Sequence, residues 1–595
     1  MKSFVLFYLA CLIVLTGQAQ WTSDPAVNTI VAGSGMDHTF PKIASAPNGD
    51  FFIASWREVS TNINYEMWLQ RINHEGYPQW GADGFQISNQ PCRTWLSDYA
   101  LTVDQAGNAL IAIEDMRGGT GFSHVSVYAV APDGRAVWDT NGVQLSDDPY
   151  MAYSPTVCLT HSQNVLVAWN ADAEARDSNQ RWFIRIQKLT PDGDPLWPEP
   201  ISVVGPDSSY IFPNLLPVGT DDFILVWQKK FERGVGVGRE WYTYIYAMRY
   251  GPDGTATWPD AARICDHGDS AYVVAEFLKL MPVQNENQGV YVAWFEDRYK
   301  TLYSNIYIQQ VDTSGQLIWP MNGVAVSPRN VGFDRVEPWM NLDPESQELF
   351  VFWDEYRPVG AFDSFGILGQ KILQDGSLGW GNLGKTLAGF SIDSVWYVFG
   401  LKSCPDSKMA VLIDQEYDSI VGSDTLLFDQ LFAAQTDTAG NLTWSSPRVL
   451  MAATNGTKFY PELSDLNQDI FVATWNENRS SPFWPEGVVY AQNISLDGKL
   501  GPLGIPVYPG DESTLLLYPN PTDQCSWLEL RKPVSGEVDI QIYDPTGRLV
   551  KRMTVNQDVV SYTIRLNAET IPSGLYLVRV LINGDESRVK WVVLK

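Results

Sequence analysis

Cysteine and histidine are scarce in this sequence. The 595 residues contain six cysteines and five histidines. Cysteines 92, 158, 265, 404 and 525 are widely spaced, and no CxxC pair occurs. A disulfide framework and a zinc site are therefore not indicated. None of the histidines forms an HExxH motif, and Walker, GxSxG and GxGxxG sequences are also missing. We therefore expect no metal, no cofactor and no recognisable catalytic motif.

Basic residues are few relative to acidic ones. The chain has 41 Lys and Arg against 69 Asp and Glu, a formal net charge of −28. Such a field repels phosphate backbones, so a nucleic-acid partner is not expected. From Glu512 onwards the two signs balance, and the whole acidic excess lies in residues 1–511. This shift in composition predicts a domain boundary near residue 511.

Long apolar runs are missing except at the N-terminus. Lys2, the apolar run Phe4–Leu15 and Gly17-Gln18-Ala19 are typical of a secretory signal peptide, with cleavage expected after Ala19. The run is short for a transmembrane helix, and no transmembrane segment is expected elsewhere. Cys11 leaves a lipoprotein signal as a less favoured alternative, because apolar residues continue past it.

Helical periodicity is also missing, whereas tryptophan is abundant, with 23 residues. A Gly-containing turn followed by Trp recurs, as in PDGRAVW at 132–138 and PDGDPLW at 191–197. The interval is 58 to 64 residues, and the tryptophans concerned are Trp21, Trp80, Trp138, Trp197, Trp258, Trp319, Trp380 and Trp444. A fixed period of this length indicates a repeat architecture.

Each unit contains four short runs rich in β-branched and aromatic residues, which favour strands. The second run is the most apolar, as in VLVAW and FILVW, and it occurs eight times. Four strands in each of eight units predict an all-β fold: an eight-bladed β-propeller of four-stranded blades. Neither a sandwich nor a β-solenoid would give eight units of this length.

The fourth-strand element occurs nine times, one more than eight blades need. We predict that the segment Trp21–Val31 joins the last blade and closes the ring, which would remove an exposed sheet edge. Residues 502–511 are then a linker or a marginal extra strand. The predicted organisation is a signal peptide at 1–19, a propeller at 20–501, the linker, and a small Ig-like β-sandwich at 512–595.

Two recurrent residues in these units are interpreted as structural. The Trp that begins each fourth strand is expected to pack between neighbouring blades. A Gln in the third strand, at Gln70 and its equivalents, is expected to bond to backbone within its own blade.

The longest and most variable loops follow the second strands, and these loops share one face of a propeller with the connections from blade to blade. Binding sites concentrate on such loops. In four units an Arg stands four residues after the Trp or Ile that ends the apolar run, with an acidic residue between (Glu114, Asp297, Asp354 and Glu477). These candidates are Arg117, Arg298, Arg357 and Arg479. They either grip an anionic or sugar ligand or pair with carboxylates to lock adjacent blades, and recurrence favours the second interpretation.

Two further features of the sequence bear on metal binding and on catalysis. Asp465-Leu466-Asn467-Gln468-Asp469 resembles the start of a calcium loop but lacks its glycine, so a simple turn is favoured. Loop carboxylates could also support glycoside hydrolysis, although no pair stands out from a solvated surface.

Residues 512–595 read as short alternating strands separated by turns at 544–547, 572–574 and 583–584. This segment resembles the type A C-terminal sorting domain of the type IX secretion system of Bacteroidota. The residues that carry the resemblance lie in order along the segment: Tyr518, Pro519, Asn520, Pro521, Gly547, Gly574, Tyr576, Lys590 and Lys595.

The resemblance implies export across both membranes by the type IX secretion machinery, to the cell surface or the medium. It implies nothing about the propeller. We expect the propeller to bind a glycan or protein ligand without catalysis. The alternatives are a secreted carbohydrate-active hydrolase or lyase with carboxylates in the loops, and a structural surface or adhesion component.

Overall fold

A computed structural model describes most of the chain. The described residues are 21–33, 37–59, 64–92, 98–117, 122–147, 151–172, 182–205, 208–233, 240–266, 281–284, 287–299, 301, 303–328, 332–360, 362–421, 424–454, 456–478, 487–501, 515–518, 522, 525–530, 534–544, 548–559, 562–568, 571–582 and 585–593. The predicted signal peptide and the predicted linker 502–511 lie outside these ranges. By its internal contacts the chain divides into two compact units, Met1–Pro502 and Leu503–Lys595.

The first unit consists of antiparallel strands, and its described residues form no helix. A single N-terminal strand, β1, comes first, and the sixteen strands of four complete repeats follow it. The strands are β1 (Thr29–Ala32), β2 (His38–Ser45), β3 (Phe51–Val59), β4 (Asn64–Ile72), β5 (Phe85–Cys92), β6 (Ala100–Val103), β7 (Ala109–Asp115), β8 (His124–Val130), β9 (Val143–Gln144), β10 (Met151–Leu159), β11 (Val165–Asp172), β12 (Trp182–Leu189), β13 (Ile201–Val203), β14 (Ser209–Val218), β15 (Asp222–Arg233), β16 (Glu240–Tyr250) and β17 (Ala262–Cys265).

The remaining strands of this unit continue the same pattern. They are β18 (Met281–Gln284), β19 (Val290–Glu296), β20 (Asn305–Val311), β21 (Val324–Ala325), β22 (Asp334–Leu342), β23 (Leu349–Val359), β24 (Phe362–Ile372), β25 (Lys385–Ser391), β26 (Ser394–Cys404), β27 (Lys408–Val421), β28 (Asp424–Thr436), β29 (Val449–Ala452), β30 (Lys458–Leu463), β31 (Ile470–Glu477) and β32 (Val488–Ser495).

Consecutive strands pair into four-stranded sheets, of which the described residues of this unit form eight. The first seven sheets take their strands in chain order: β2–β5, β6–β9, β10–β13, β14–β17, β18–β21, β22–β25 and β26–β29. The second strands are largely buried, because both of their faces meet apolar side chains. All of the described Val165–Asp172 strand is buried, for example. The predicted all-β fold built from four-stranded antiparallel sheets is thus confirmed.

The eighth sheet combines the two ends of this unit. Its order is β1-β32-β31-β30, so the N-terminal strand supplies the fourth position. Thr29 pairs with Ala491 and Ile30 with Tyr490. The side-chain Nδ2 of Asn28 donates to the Met451 carbonyl at 3.0 Å and to Gln492 Oε1 at 3.3 Å. A strand from one end of the sequence therefore completes a sheet from the other end.

The recurrent Trp packs against the turn glycine of the following sheet. A Cβ added to Gly193 would lie 2.8 Å from the Trp138 ring, and one added to Gly315 would lie 2.7 Å from the Trp258 ring. The indole Nε1 donates to a carbonyl of that turn, as from Trp138 to Pro191 at 2.9 Å and from Trp258 to Thr313 at 2.8 Å. Packing between neighbouring sheets, as interpreted for this Trp, is confirmed.

The recurrent Gln holds the Trp strand to its own sheet. The Gln370 Oε1 accepts from the Trp380 amide at 2.9 Å, while Nε2 donates to the Gly381 carbonyl at 2.7 Å. Gln309 binds the Trp319 amide and the Pro320 carbonyl in the same way. The expected role of this Gln in bonding backbone within a sheet is confirmed.

The first and eighth sheets also contact each other directly. The backbone of His38 in β2 exchanges two hydrogen bonds with that of Gly487, at 2.7 and 2.9 Å. The Asn467 amide donates to the carbonyls of Ala46 and Asp50. Asn467 therefore joins the eighth sheet to the first. This structural role accounts for an Asn in the segment 465–469 that resembles a calcium loop.

The first strands carry β-bulges that the sequence pattern did not predict. In five of them the residue before Pro has a positive φ, which bulky residues rarely adopt. The residues are Phe40, Ser154, Phe212, Glu337 and Tyr460. A polar side chain from the preceding sheet binds the nearby backbone, as Asn476 does with the Phe40 amide at 3.3 Å.

The second unit has two small antiparallel sheets in its described residues. Its strands are β33 (Leu515–Tyr518), β34 (Cys525–Leu530), β35 (Val534–Tyr543), β36 (Leu549–Val559), β37 (Tyr562–Asn567), β38 (Gly574–Ile582) and β39 (Asp585–Val593). The sheet orders are β33-β34-β37 and β36-β35-β38-β39. One apolar core includes Leu528, Ile540, Val578 and Trp591, each fully buried.

Candidate functional site

Three of the four predicted arginines lie at the loop end of a second strand. Arg117 and Arg298 follow β7 and β19, and Arg357 lies two residues before the end of β23. Arg479 lies outside the described residues. Each guanidinium binds the carboxylate two residues earlier in the chain, Asp115, Glu296 or Glu355. The motif that positions these arginines is therefore (Trp or Ile)-x-acid-x-Arg, where x is any residue.

The structure corrects three of the acidic residues predicted to accompany these arginines. Glu114, Asp297 and Asp354 are not the carboxylates that bind the arginines. Asp354 instead accepts a hydrogen bond from the Val398 amide of the next sheet at 3.0 Å. On a strand, successive side chains face opposite sides, so only the residue two positions before the Arg shares its side. Glu477 has that position in its unit.

Arg117 and Arg298 are enclosed by their own sheets. Arg117 donates to both Asp115 oxygens, to the Asn141 carbonyl and to the Tyr128 hydroxyl. Arg298 donates to Glu296 and to the Asn322 carbonyl, and it stacks 3.1 Å from the Tyr307 ring centroid. Their side chains are 14% and 10% exposed. Each cation is matched by one carboxylate, an arrangement that suits a structural role.

Arg357 has a different environment. Its guanidinium lies 3.8 Å from the Phe390 ring centroid and 4.6 Å from that of Phe333. Its side chain is 31% exposed, more than twice the exposure of the other two. The following residues carry the strand into a hairpin whose paired residues Val359 and Phe362 are both exposed. Arg357 therefore presents a cation between aromatic rings at the loop end.

The carboxylate of Glu355 serves two arginines. Arg335 donates Nε to Glu355 Oε2 at 2.8 Å, and Arg357 donates Nε to Oε1 at 2.6 Å. Glu355 is fully buried, and Trp353 Nε1 also contacts it at 3.3 Å. The neighbouring Asp354 accepts from the Val398 amide instead, and burial raises the pKa of its carboxyl well above the ordinary value. In the Arg335–Glu355–Arg357 cluster, two guanidinium groups thus share one directly bound carboxylate.

A second polar cluster lies between the seventh and eighth sheets. Asp414 in β27 and Asp429 in β28 are diagonal neighbours across the strand pair and share one side of the sheet. Both are buried, and one oxygen of each makes no hydrogen bond with a described residue. Asp429 Oδ2 accepts from the Lys458 amide at 2.7 Å.

The charges around this pair are unbalanced. Burial and mutual repulsion raise the pKa of Asp414 well above its ordinary value, and burial raises the pKa of Asp429 to about 7. The Lys458 ammonium is buried and lies 3.8 Å from Glu477, so it does not belong to the aspartates alone. Two carboxyls with raised pKa values are the kind of pair that acid–base catalysis uses.

Two cavities found among the described residues are lined by residues other than Asp414, Asp429 and Arg357. Among the same residues, no group of three His, Cys, Asp or Glu side chains is placed to hold a metal ion. The five cysteines after the predicted leader form no disulfide bond in the structure. The loop end therefore offers an exposed cationic cluster and a buried acidic pair.

The residues that resemble a sorting signal are only partly described. Gly574 begins β38, and the Tyr576 hydroxyl donates to the Pro572 carbonyl at 2.9 Å. Lys590 is exposed on β39, and Tyr518 ends β33. Pro519, Asn520, Pro521, Gly547 and Lys595 lie outside the described residues.

A comparison with protein families decides the nature of this second unit. Residues 516–595 match the family model described as the secretion system C-terminal sorting domain. The second unit is a sorting domain. The sorting domain marks the chain for the type IX secretion machinery, and the protein is exported to the cell surface or secreted. Among the described residues no helix has the length and apolarity of a membrane span.

The other comparisons concern the whole chain. No curated protein matches it. A solved protein of unknown function from Dyadobacter fermentans DSM 18053 is 13% identical, with 58% of this chain and 95% of that chain covered and a TM-score of 0.34.

Two solved enzymes show likenesses of the same order. An ulvan lyase, described as a new family of polysaccharide lyase, is 11% identical over 69% of this chain and 95% of its own, with a TM-score of 0.38. An α-L-arabinofuranosidase from Fusarium graminearum is 10% identical over 56% and 93%, with a TM-score of 0.31. At these scores the likenesses carry no argument about activity.

The sequence pattern missed Arg335 and Asp429. Arg335 stands three residues before the Pro of a first strand, where other units have His38, Ala152 or Tyr210. The signal that could have identified Arg335 is a charged residue at a position where most units have an apolar or neutral residue. Lys458 has the same position and is likewise buried.

Proposed function

We propose that this protein is an exported cargo whose first unit is a closed eight-bladed β-propeller that binds an anionic glycan or protein ligand without catalysis. Eight four-stranded sheets, the contribution of β1 to the last of them and the contacts between the first and last sheets support the ring. The ligand site is the loop end around Arg357.

The observation that carries the proposal is the composition of the Arg335–Glu355–Arg357 cluster. Two guanidinium groups share one carboxylate, and the more exposed of them lies between two aromatic rings. A guanidinium held in this way binds a carboxylate or sulfate group through directed hydrogen bonds. The adjacent rings offer apolar faces to a sugar or peptide. In a chain of net charge −28, such a cluster is a local exception.

The test is a panel of neutral and acidic polysaccharides, scored for both binding and turnover by the full chain. Arg357→Ala should weaken binding of an acidic polysaccharide at least tenfold. Arg135→Ala is the matched control, because Arg135 is exposed on a third-to-fourth-strand turn and pairs only with its neighbour Asp133. Equal effects of the two variants, or no binding at all, would contradict the proposal and favour a structural surface or adhesion component.

The buried aspartates favour a second candidate function, a carbohydrate-active hydrolase or lyase. Their raised pKa values fit a general acid, although they do not line either of the two cavities described here. Turnover that Asp429→Asn abolishes and Arg357→Ala leaves intact would establish this candidate in place of the first.

A further inference from the structure

A cavity of about 660 Å³ lies at the opposite end of the sheets, where the first and second strands meet in short turns. Its lining comes from five successive sheets, the third to the seventh. The polar lining residues are His161, Thr220, Gln284, Gln288, Gln347 and Ser403. A volume of this size is within the range of small-molecule sites.

The turns around the cavity are fixed to one another. The Ser162 amide donates to the Thr220 carbonyl at 3.2 Å, which joins the third and fourth sheets. The Asn341 amide donates to the Leu401 carbonyl at 3.0 Å, which joins the sixth and seventh. The cavity wall is therefore preorganised, which lowers the cost of binding.

Two of the lining residues have an unfavourable backbone conformation. Gln288 and Gln347 both have φ of +58°, which is strained for a residue with a side chain. The corresponding turn position in the first two sheets is Gly49 or Gly107, which adopts a positive φ without strain. Backbone strain of this kind is retained where a side chain is needed.

Three glutamines at this position bind nearby backbone. Gln347 Nε2 donates to the Pro344 carbonyl of its own turn at 3.0 Å. Gln163 accepts a hydrogen bond from the Gln105 amide at 2.9 Å, and Gln468 lies 3.5 Å from the Asn48 carbonyl. Both link their turn to a neighbouring turn. Gln288 lines the cavity together with Gly219 and Thr220 of the fourth sheet.

The chemistry of the lining is neutral and polar. Amides and hydroxyls both donate and accept hydrogen bonds, as the hydroxyls of a sugar require. Leu342 and Pro344 add apolar contact, and the lining contains no Lys, Arg, Asp or Glu. An adjoining cavity of about 390 Å³ shares Pro344 and Ser403, and its Lys402 is paired with Asp465 at 2.7 Å.

We propose that this cavity is a second ligand site, specific for a neutral saccharide and separate from the cationic loop end. The preorganised turns support a binding site, and the uncharged polar lining supports this class of ligand. This site does not depend on the loop-end proposal, because its residues come from the opposite ends of the strands.

The test is isothermal titration calorimetry of the full chain with four neutral probes: cellohexaose, xylohexaose, laminarihexaose and mannohexaose. Hexagalacturonate is the charged comparison. The double variant Gln288→Gly, Gln347→Gly removes both amides and relieves both strained positions, so it should unfold at a higher temperature and bind at least tenfold more weakly. Gln468→Gly is the control, since it has the same backbone geometry outside the cavity and should bind as the native chain does.

The outcomes separate the two sites. Binding of a neutral probe that the double variant loses and Arg357→Ala retains supports the proposal. Loss of binding in Arg357→Ala alone places the ligand at the loop end and overturns the proposal. Failure of every neutral probe to bind, or tighter binding of hexagalacturonate in this cavity, overturns it as well.

Discussion

The indole of Trp21 lies beneath Gly76 of the first sheet and donates Nε1–H to the His74 carbonyl at 2.8 Å. The same relation joins Trp444 of the seventh sheet to Gly498 of the eighth, with Nε1 2.9 Å from the Leu496 carbonyl. Trp21 precedes β1, which belongs to the eighth sheet. The contact between the eighth sheet and the first is thus built like a contact between sheets that are consecutive in the chain.

The first prediction concerns Trp21, which is 1% exposed. Trp21→Ala should lower the free energy of unfolding by about 3–5 kcal/mol, because it empties a buried site and leaves the His74 carbonyl without its donor. Trp258→Ala at an internal junction is the matched variant, and thermal unfolding should place the two together. A normal melting temperature for Trp21→Ala with a reduced one for Trp258→Ala would mean that β1 does not stabilise the fold.

The second prediction separates contact from backbone strain at the same junction. Gly76 has φ of +92°, and an added Cβ would lie 2.6 Å from the Trp21 ring. Gly81 has φ of +81° with open space around it. Both alanine variants should lose about 1 kcal/mol through φ strain, and Gly76→Ala should lose more through displacement of the indole. Equal losses in chemical denaturation would argue against tight packing of Trp21.

Sequence periodicity predicted the sheets because each repeat presents the same short apolar run and the same turn. Trp138 and its equivalents marked the junctions, since a large aromatic at a constant interval needs a constant partner. The β-bulges were not predictable from the pattern. A Pro after Phe40 suggests extended backbone, whereas the positive φ of Phe40 depends on Asn476 from a sheet more than 400 residues away in sequence.

The candidate site was only partly predictable for the same reason. The motif identified Arg357, but the second partner of Glu355 is Arg335, which lies in another strand. Local sequence shows that an Arg follows an acid. It does not show whether that acid already binds a second cation, and this decides whether the Arg has a carboxylate to itself.

The third prediction concerns Glu355. Glu355→Gln should lower the free energy of unfolding by about 3 kcal/mol, because two largely buried guanidinium groups lose their counter-charge. Glu348→Gln is the control: it breaks the more exposed pair with Lys371 and should change stability by about 1 kcal/mol or less. Similar melting temperatures for the two variants would show that the Glu355 carboxylate stabilises the fold no more than the Glu348 carboxylate does.

The fourth prediction is a pH dependence that arises at Asp429. Burial raises its pKa from the ordinary 3.8 to about 7, so the folded state binds this proton more tightly than the unfolded chain. The contribution to stability is complete below about pH 4 and is lost as the pH rises through 7. The charged groups that act on this carboxyl are Glu416, Glu477 and Lys458, with Asp414 close by.

Asp429→Asn should remove that dependence while keeping an acceptor for the Lys458 amide. The difference in unfolding free energy between the native chain and Asp429→Asn should fall by up to about 1.4 kcal/mol per pH unit between pH 4 and 7. The exposed Asp133→Asn should show no such fall, since the pKa of Asp133 is lowered by its bonds to Arg135. Parallel profiles for the native chain and Asp429→Asn would place the titration elsewhere.

The fifth prediction concerns export. Residues 516–595 form the sorting domain and have their own apolar core, so their removal should leave the first unit folded. In a host with an active type IX system, the chain truncated after residue 511 should cross the inner membrane and accumulate in the periplasm. Cell fractionation and protease accessibility of intact cells would locate it.

A chain with Trp527→Ala, a change at an exposed side chain of the sorting domain, should still reach the surface if that core is intact. Surface delivery of the truncated chain would mean that the export information lies outside the sorting domain.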